Sequence, residues 1–137
     1  MRTSLIQKIP FGVAIKLLLA LSGATIVFHI LVLAGVIPYE IVWGGRLETI
    51  SQMRVFEGIS IAINLLIAAA TLTRGGYIKS VLPAKFFRIF FWALFAVFFL
   101  NTLGNVFSES TTETKIFTPL TLAAAVLCYR VAREDAF

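Results

Sequence analysis

Residues 52–73 read QMRVFEGISIAINLLIAAATLT, and of these twenty-two positions only Arg54 and Glu57 are charged. A hydrocarbon core about 30 Å thick is crossed by roughly 20 helical residues at 1.5 Å rise each, so the stretch is long and apolar enough to span a bilayer. Inside it, Arg54, Glu57 and Asn64 recur at helical intervals, which places them on one face while Ile, Leu, Val and Ala fill the others. The segment therefore predicts both a membrane helix and a polar stripe along it.

Working outward, three further segments have the same character: Gly12 to Val36, Ala84 to Phe107 and Phe117 to Val131. The last is the shortest and is expected to need Lys115 and Arg130 to snorkel toward the interfaces. The apolar run after Arg2 and Lys8 is too long for a signal-peptide core and meets no small-x-small cleavage site, so it is expected to be retained as the first span. Pro38 is expected to stop the first helix, Gly44 and Gly45 to mark a turn, Gly75 and Gly76 to end the second helix, and Pro83 to open the third. With connections this short, consecutive helices are expected to be antiparallel neighbours. The predicted fold is all-α, one domain over residues 1–137 built as an antiparallel bundle of four transmembrane helices.

Composition agrees. The chain is 59% hydrophobic and 14% charged, with a mean hydropathy of +0.94. A soluble domain is about a quarter charged, because its surface must hold water. The net charge of +5 would suggest nucleic acid in a soluble protein, but in a membrane protein it reports topology. Arg2, Lys8, Lys16, Arg74, Lys79, Lys85, Arg88, Arg130 and Arg133 fall on one side, against Arg46, Arg54 and Lys115 on the other. By the positive-inside rule both termini are expected in the cytoplasm of a plasma (inner) membrane. Glu40, Glu48, Glu57, Glu109 and Glu113 gather on the outer side, with Glu134 and Asp135 inside. The basic second connection is expected to attract anionic lipid.

Polar groups within spans are costly, roughly 2.5 to 3.5 kcal/mol for a centred charge, so each needs a reason. His29 lies about seven residues inside the expected end of the first span, roughly 10 Å deep, and Glu57 and Asn101 come to similar depths. Asn101 and Asn105 share a face of the third span, and Thr118 and Thr121 enter the fourth at the same end. The expectation is an outward-opening polar pocket lined by His29, Arg54, Glu57, Asn64, Asn101 and Asn105. Over its mouth lies the outer loop, with Tyr39, Glu40, Trp43, Arg46 and Glu48 as the rim and Ile41 with Val42 dipping into the interface. The competing structural reading takes these groups as hydrogen-bonding ties between helices, with Arg54 neutralising Glu57. Ala20 with Ala24 and Gly58 with Ala62 are expected to permit close helix approach.

No catalytic residue, cofactor or metal site is assigned. A single cysteine, Cys128, excludes an internal disulfide, and no phosphate loop, nucleophile elbow or zinc helix occurs. Three functional classes follow: binding or transport of a small ligand or proton at Glu57, a structural or accessory subunit acting through helix contacts, and a lipid-active enzyme using Glu57 and His29 as acid and base. The expected partners are the lipid bilayer, a small-molecule or lipid ligand and a homo-oligomer or larger membrane complex, but no nucleic acid.

Overall fold

The computed structural model describes residues 4–111 and 113–135. Arg2 and the side chain of Glu113, counted above by side, lie outside the described residues. Four long helices carry the fold: α1 (Phe11–Leu33), α2 (Ile50–Arg74), α3 (Ala84–Val106) and α4 (Thr118–Ala132). With the π-helical turn Glu113–Phe117 before it, α4 reaches spanning length over Thr114–Ala132, and all four are long and apolar enough to cross a membrane. The chain is an all-helical four-helix bundle of a kind suited to a small integral membrane protein.

Helix ends follow from local chemistry. Gly35 (φ +78°) and not Pro38 stops α1, in a Schellman motif where the Val36 amide donates to Leu31 O (2.9 Å) and the Gly35 amide to Val32 O (3.0 Å). The span thus ends three residues earlier than Val36, and Pro38 instead leads into a 3₁₀ turn at Tyr39–Ile41. Gly76 ends α2 in the same way, with the Tyr77 amide on Leu72 O (3.0 Å). At its start α2 is capped by Thr49, whose hydroxyl accepts from the Gln52 amide (3.1 Å), while Gln52 Oε1 accepts from the Glu48 amide (2.9 Å).

The helices do not simply neighbour one another in chain order. α1 packs on α2 and on α4, and α4 on α3, but α2 and α3 barely touch. The nine-residue connection from Gly75 to Pro83 can reach up to about 30 Å, so it does not force its helices together. The order across the bundle is therefore α2, α1, α4, α3, and a groove is left between the outer pair.

Packing uses alternating steps of three and four. On α2 the inward positions are Met53, Glu57, Ser60, Asn64, Ile67, Thr71 and Arg74, and on α1 they are Ile15, Leu18, Ser22, Thr25, His29 and Val32; most are buried and the rest are partly so. That is the seam of a left-handed, knobs-into-holes helix pair. Ala20, Ala24, Gly58 and Ala62 lie off the seam and are exposed; the buried small residues are instead Ala14, Ser22, Ser60 and Ala70 and, on α4, Ala124, Ala125 and Ala132. One buried cluster joins Ile15, Leu18, Ile67, Phe87, Phe91, Leu94, Leu127, Cys128 and Val131 at the end nearer the termini. A second, smaller one joins Val32, Val42, Leu47 and Met53 beneath the 38–49 segment.

Candidate functional site

The seam brings His29 of α1 against Glu57 of α2, with Nδ1 and Oε2 2.5 Å apart. At the other end of the same two helices, Arg74 stacks its guanidinium 5.2 Å from the centre of the Phe11 ring. Moving 18 residues back along α1, from His29 to Phe11, corresponds to moving 17 forward along α2, from Glu57 to Arg74. Both contacts belong to one antiparallel register, so the pairing is a property of the whole hairpin.

Glu57 is fully buried, at 0% exposure, and His29 keeps 14% of its side chain exposed. The second carboxylate oxygen accepts from the indole N–H of Trp43 (Nε1 to Oε1, 2.8 Å). Both oxygens of a buried carboxyl group thus have hydrogen-bonding partners from two other parts of the chain, which is how a charged or protonated group becomes tolerable inside a span. The imidazole is also wedged edge-on to Phe28, with centroids 5.5 Å apart.

Trp43 reaches Glu57 through an uncommon backbone. Trp43, Gly44 and Gly45 have successive positive φ values of 54°, 65° and 69°. The two glycines adopt this conformation freely, whereas for tryptophan it costs of order 1 to 3 kcal/mol. The segment is held to that shape by Val42 (4% exposed) and Leu47 (7%), both buried in the small cluster, and by the edge-on contact of Trp43 with Phe56. Val42, expected with Ile41 to dip into the membrane interface, is instead buried in the small cluster, and Ile41 in its 3₁₀ turn is exposed.

The other expected site residues are placed as follows. Arg54 is exposed, one position past the buried Met53, and no ion pair joins it to Glu57 among the described residues. Asn64 lies on the seam but turns its amide back to Ser60 O (2.9 Å) on its own helix. Asn105 donates to Thr121 Oγ1 across the α3–α4 contact (3.3 Å), where Thr102 also reaches the same hydroxyl (3.0 Å). Asn101 is exposed, because the inward face of α3 steps from Phe98 to Thr102. Of the rim residues, Tyr39 packs on the small cluster while Glu40, Arg46 and Glu48 are exposed. His29 sits four residues from the end of α1, about 6 Å, since that helix stops at Leu33.

The structure therefore unites His29, Glu57 and Trp43, and keeps Asn105 with Thr121 as a separate pair. Thr102 was not singled out from the sequence; its spacing of four from Phe98 and eight from Leu94 on the inward face was the available signal. A polar cluster at the opposite end was also missed. There Arg74, 3% exposed, donates to Glu134 O (3.0 Å) and Asp135 O (3.3 Å), and Arg130 donates to Ile9 O (2.8 Å) and Glu134 Oε2 (2.6 Å). Arg130 is only 12% exposed, because its guanidinium is held by these acceptors, which lie just beyond the ends of α1 and α4. Among the described residues no group of three or more His, Cys, Asp or Glu forms a metal-binding cluster. No protein-family model, no curated protein and no solved structure matches the chain.

Proposed function

We propose that this protein is an integral membrane protein whose working site is the His29–Glu57 pair, a proton-exchanging site that binds or passes a proton or small cation under the control of Trp43. With both termini cytoplasmic in a plasma membrane, as the basic-residue bias indicates, the site lies toward the outer face.

The observation that carries this reading is the buried carboxylate with both oxygens engaged. A tie between helices needs no titratable group. The same chain ties α3 to α4 with the neutral trio Thr102, Asn105 and Thr121. At Glu57 it instead places an acid beside an imidazole, and adds the backbone cost of Trp43. With one proton shared between Nδ1 and Oε2 the pair is neutral overall. A second proton makes it cationic; loss of the shared proton leaves a carboxylate able to hold a cation. Trp43, 40% exposed, links Glu57 to the surface through its indole N–H, and Gly44 and Gly45 supply the backbone freedom for it to withdraw.

The structural reading rests on a different observation: no buried side-chain polar atom among the described residues lacks a partner. Glu57→Gln separates the two. A glutamine accepts from Trp43 and donates to His29, so the variant is expected to fold normally. In proteoliposomes under a potassium diffusion potential, with a pH-sensitive dye inside, the wild type is expected to pass protons and the variant to pass none. In a Trp92→Phe background, Trp43 fluorescence is expected to titrate with pH and to lose that response with Glu57→Gln. Absence of both signals in the wild type would leave the structural role.

A further inference from the structure

The order α2, α1, α4, α3 leaves the outer helices apart, and at the end that carries the termini the gap opens into a cavity of about 400 Å³. Its walls are Arg74 at the end of α2, Lys85, Arg88, Ile89 and Trp92 on α3, and Glu134 after α4. The α3 residues stand at steps of three, one and three, so they form one face of the helix. Along that face the chemistry changes with depth. Lys85 and Arg88 occupy the first turn and a half, and Trp92 lies eight residues inside Ala84, about 12 Å down. The cavity is cationic at its mouth and apolar at its floor.

Its charges are set for an anion. Arg74 is fixed by the backbone oxygens of Glu134 and Asp135 and by the Phe11 ring, so it forms a rigid wall. Glu134 is the one acid in the lining, and its carboxylate is engaged by Arg130 at 2.6 Å. Arg88 reaches the fully exposed Asp135 carboxylate and the Glu134 backbone oxygen only at 3.5 Å, and keeps 48% of its side chain exposed. The first turn of α3 adds amide N–H groups without helical acceptors and the positive end of the helix dipole. Three cations above an aromatic and aliphatic floor match an amphiphile with an anionic head and an acyl chain.

We propose that this cavity is a binding site for the phosphate headgroup of an anionic phospholipid in the leaflet on the side of the termini, with Lys85 and Arg88 on the phosphate, Arg74 behind it and the upper acyl chain against Ile89 and Trp92. The site is independent of the His29–Glu57 pair at the other end.

Purified protein in mixed micelles can be titrated with phosphatidylglycerol or phosphatidylcholine of the same acyl chains, and retained lipid counted by native mass spectrometry. The wild type is expected to prefer phosphatidylglycerol, and Lys85→Gln with Arg88→Gln to weaken that binding by about 30-fold. Both side chains are exposed, so helix content by circular dichroism is expected to be unchanged. Inorganic phosphate at millimolar concentration is expected to leave the lipid bound. Equal retention of the two lipids, a preference that survives the double substitution, or displacement by phosphate alone would each overturn the assignment, the last by giving the site to the free ion.

Discussion

Replacing His29 by leucine tests the pair most directly, because it removes the partner of Glu57 Oε2 while keeping volume in the seam. A buried ion or acid pair broken on one side costs about 3 to 5 kcal/mol. With His29 at 14% exposure and Oε1 still held by Trp43, the low end applies, about 3 kcal/mol. Glu57→Leu alone strands the imidazole and the Trp43 indole N–H; the latter is near the surface, so the cost is about 2 kcal/mol. If the residues did not interact, the double variant would lose about 5 kcal/mol. Since removing both leaves only the near-surface indole unpaired, the expected loss is about 1 kcal/mol, a coupling of about 4 kcal/mol. Reversible unfolding in dodecylmaltoside micelles with increasing sodium dodecyl sulfate, followed by helix circular dichroism, measures each corner of the cycle. A double variant within about 0.5 kcal/mol of the sum would refute the pairing.

Two further outcomes are expected in the same assay. Trp43→Phe keeps the ring against Phe56 but deletes the donor to Glu57 Oε1, and is expected to cost about 1.5 to 3 kcal/mol; a neutral result would show that the indole hydrogen bond does not hold the segment. Thr121→Val removes the oxygen shared by Thr102 and Asn105 without changing shape, and is expected to cost about 1 kcal/mol, since such interhelical bonds average about 0.6 kcal/mol each. A loss above about 3 kcal/mol at Thr121 would mean that this contact, and not the His29–Glu57 pair, is the dominant polar tie.

Much of this was legible in the residues. The four spans follow from apolar length, and the depth argument brought His29 and Glu57 to one layer. What misled was the treatment of each helix by itself. Asn101 has the right depth, yet it is exposed because the inward face of α3 steps from Phe98 to Thr102. Arg54 is three residues from Glu57, but Met53 takes the inward position beside it. The signal available for both was the alternation of three and four that marks a packing seam, along which His29, Glu57 and Arg74 all fall and Arg54 does not.

By itself, the sequence indicated a lipid environment and determined the number of long helices, because length and hydropathy act through the bilayer and need no partner helix. It also carried the local stops, since Gly35 and Gly76 end helices through their own backbone freedom. Only the tertiary structure decided that α1 and α4 form the middle of the bundle, that a left-handed turn at Trp43–Gly44–Gly45 delivers an indole to Glu57, and that Arg74, Lys85 and Arg88 border one cavity. Those are contacts between segments distant in sequence, chosen by which apolar faces fit and by the need to give each buried polar atom a partner, and neither is written in any one helix.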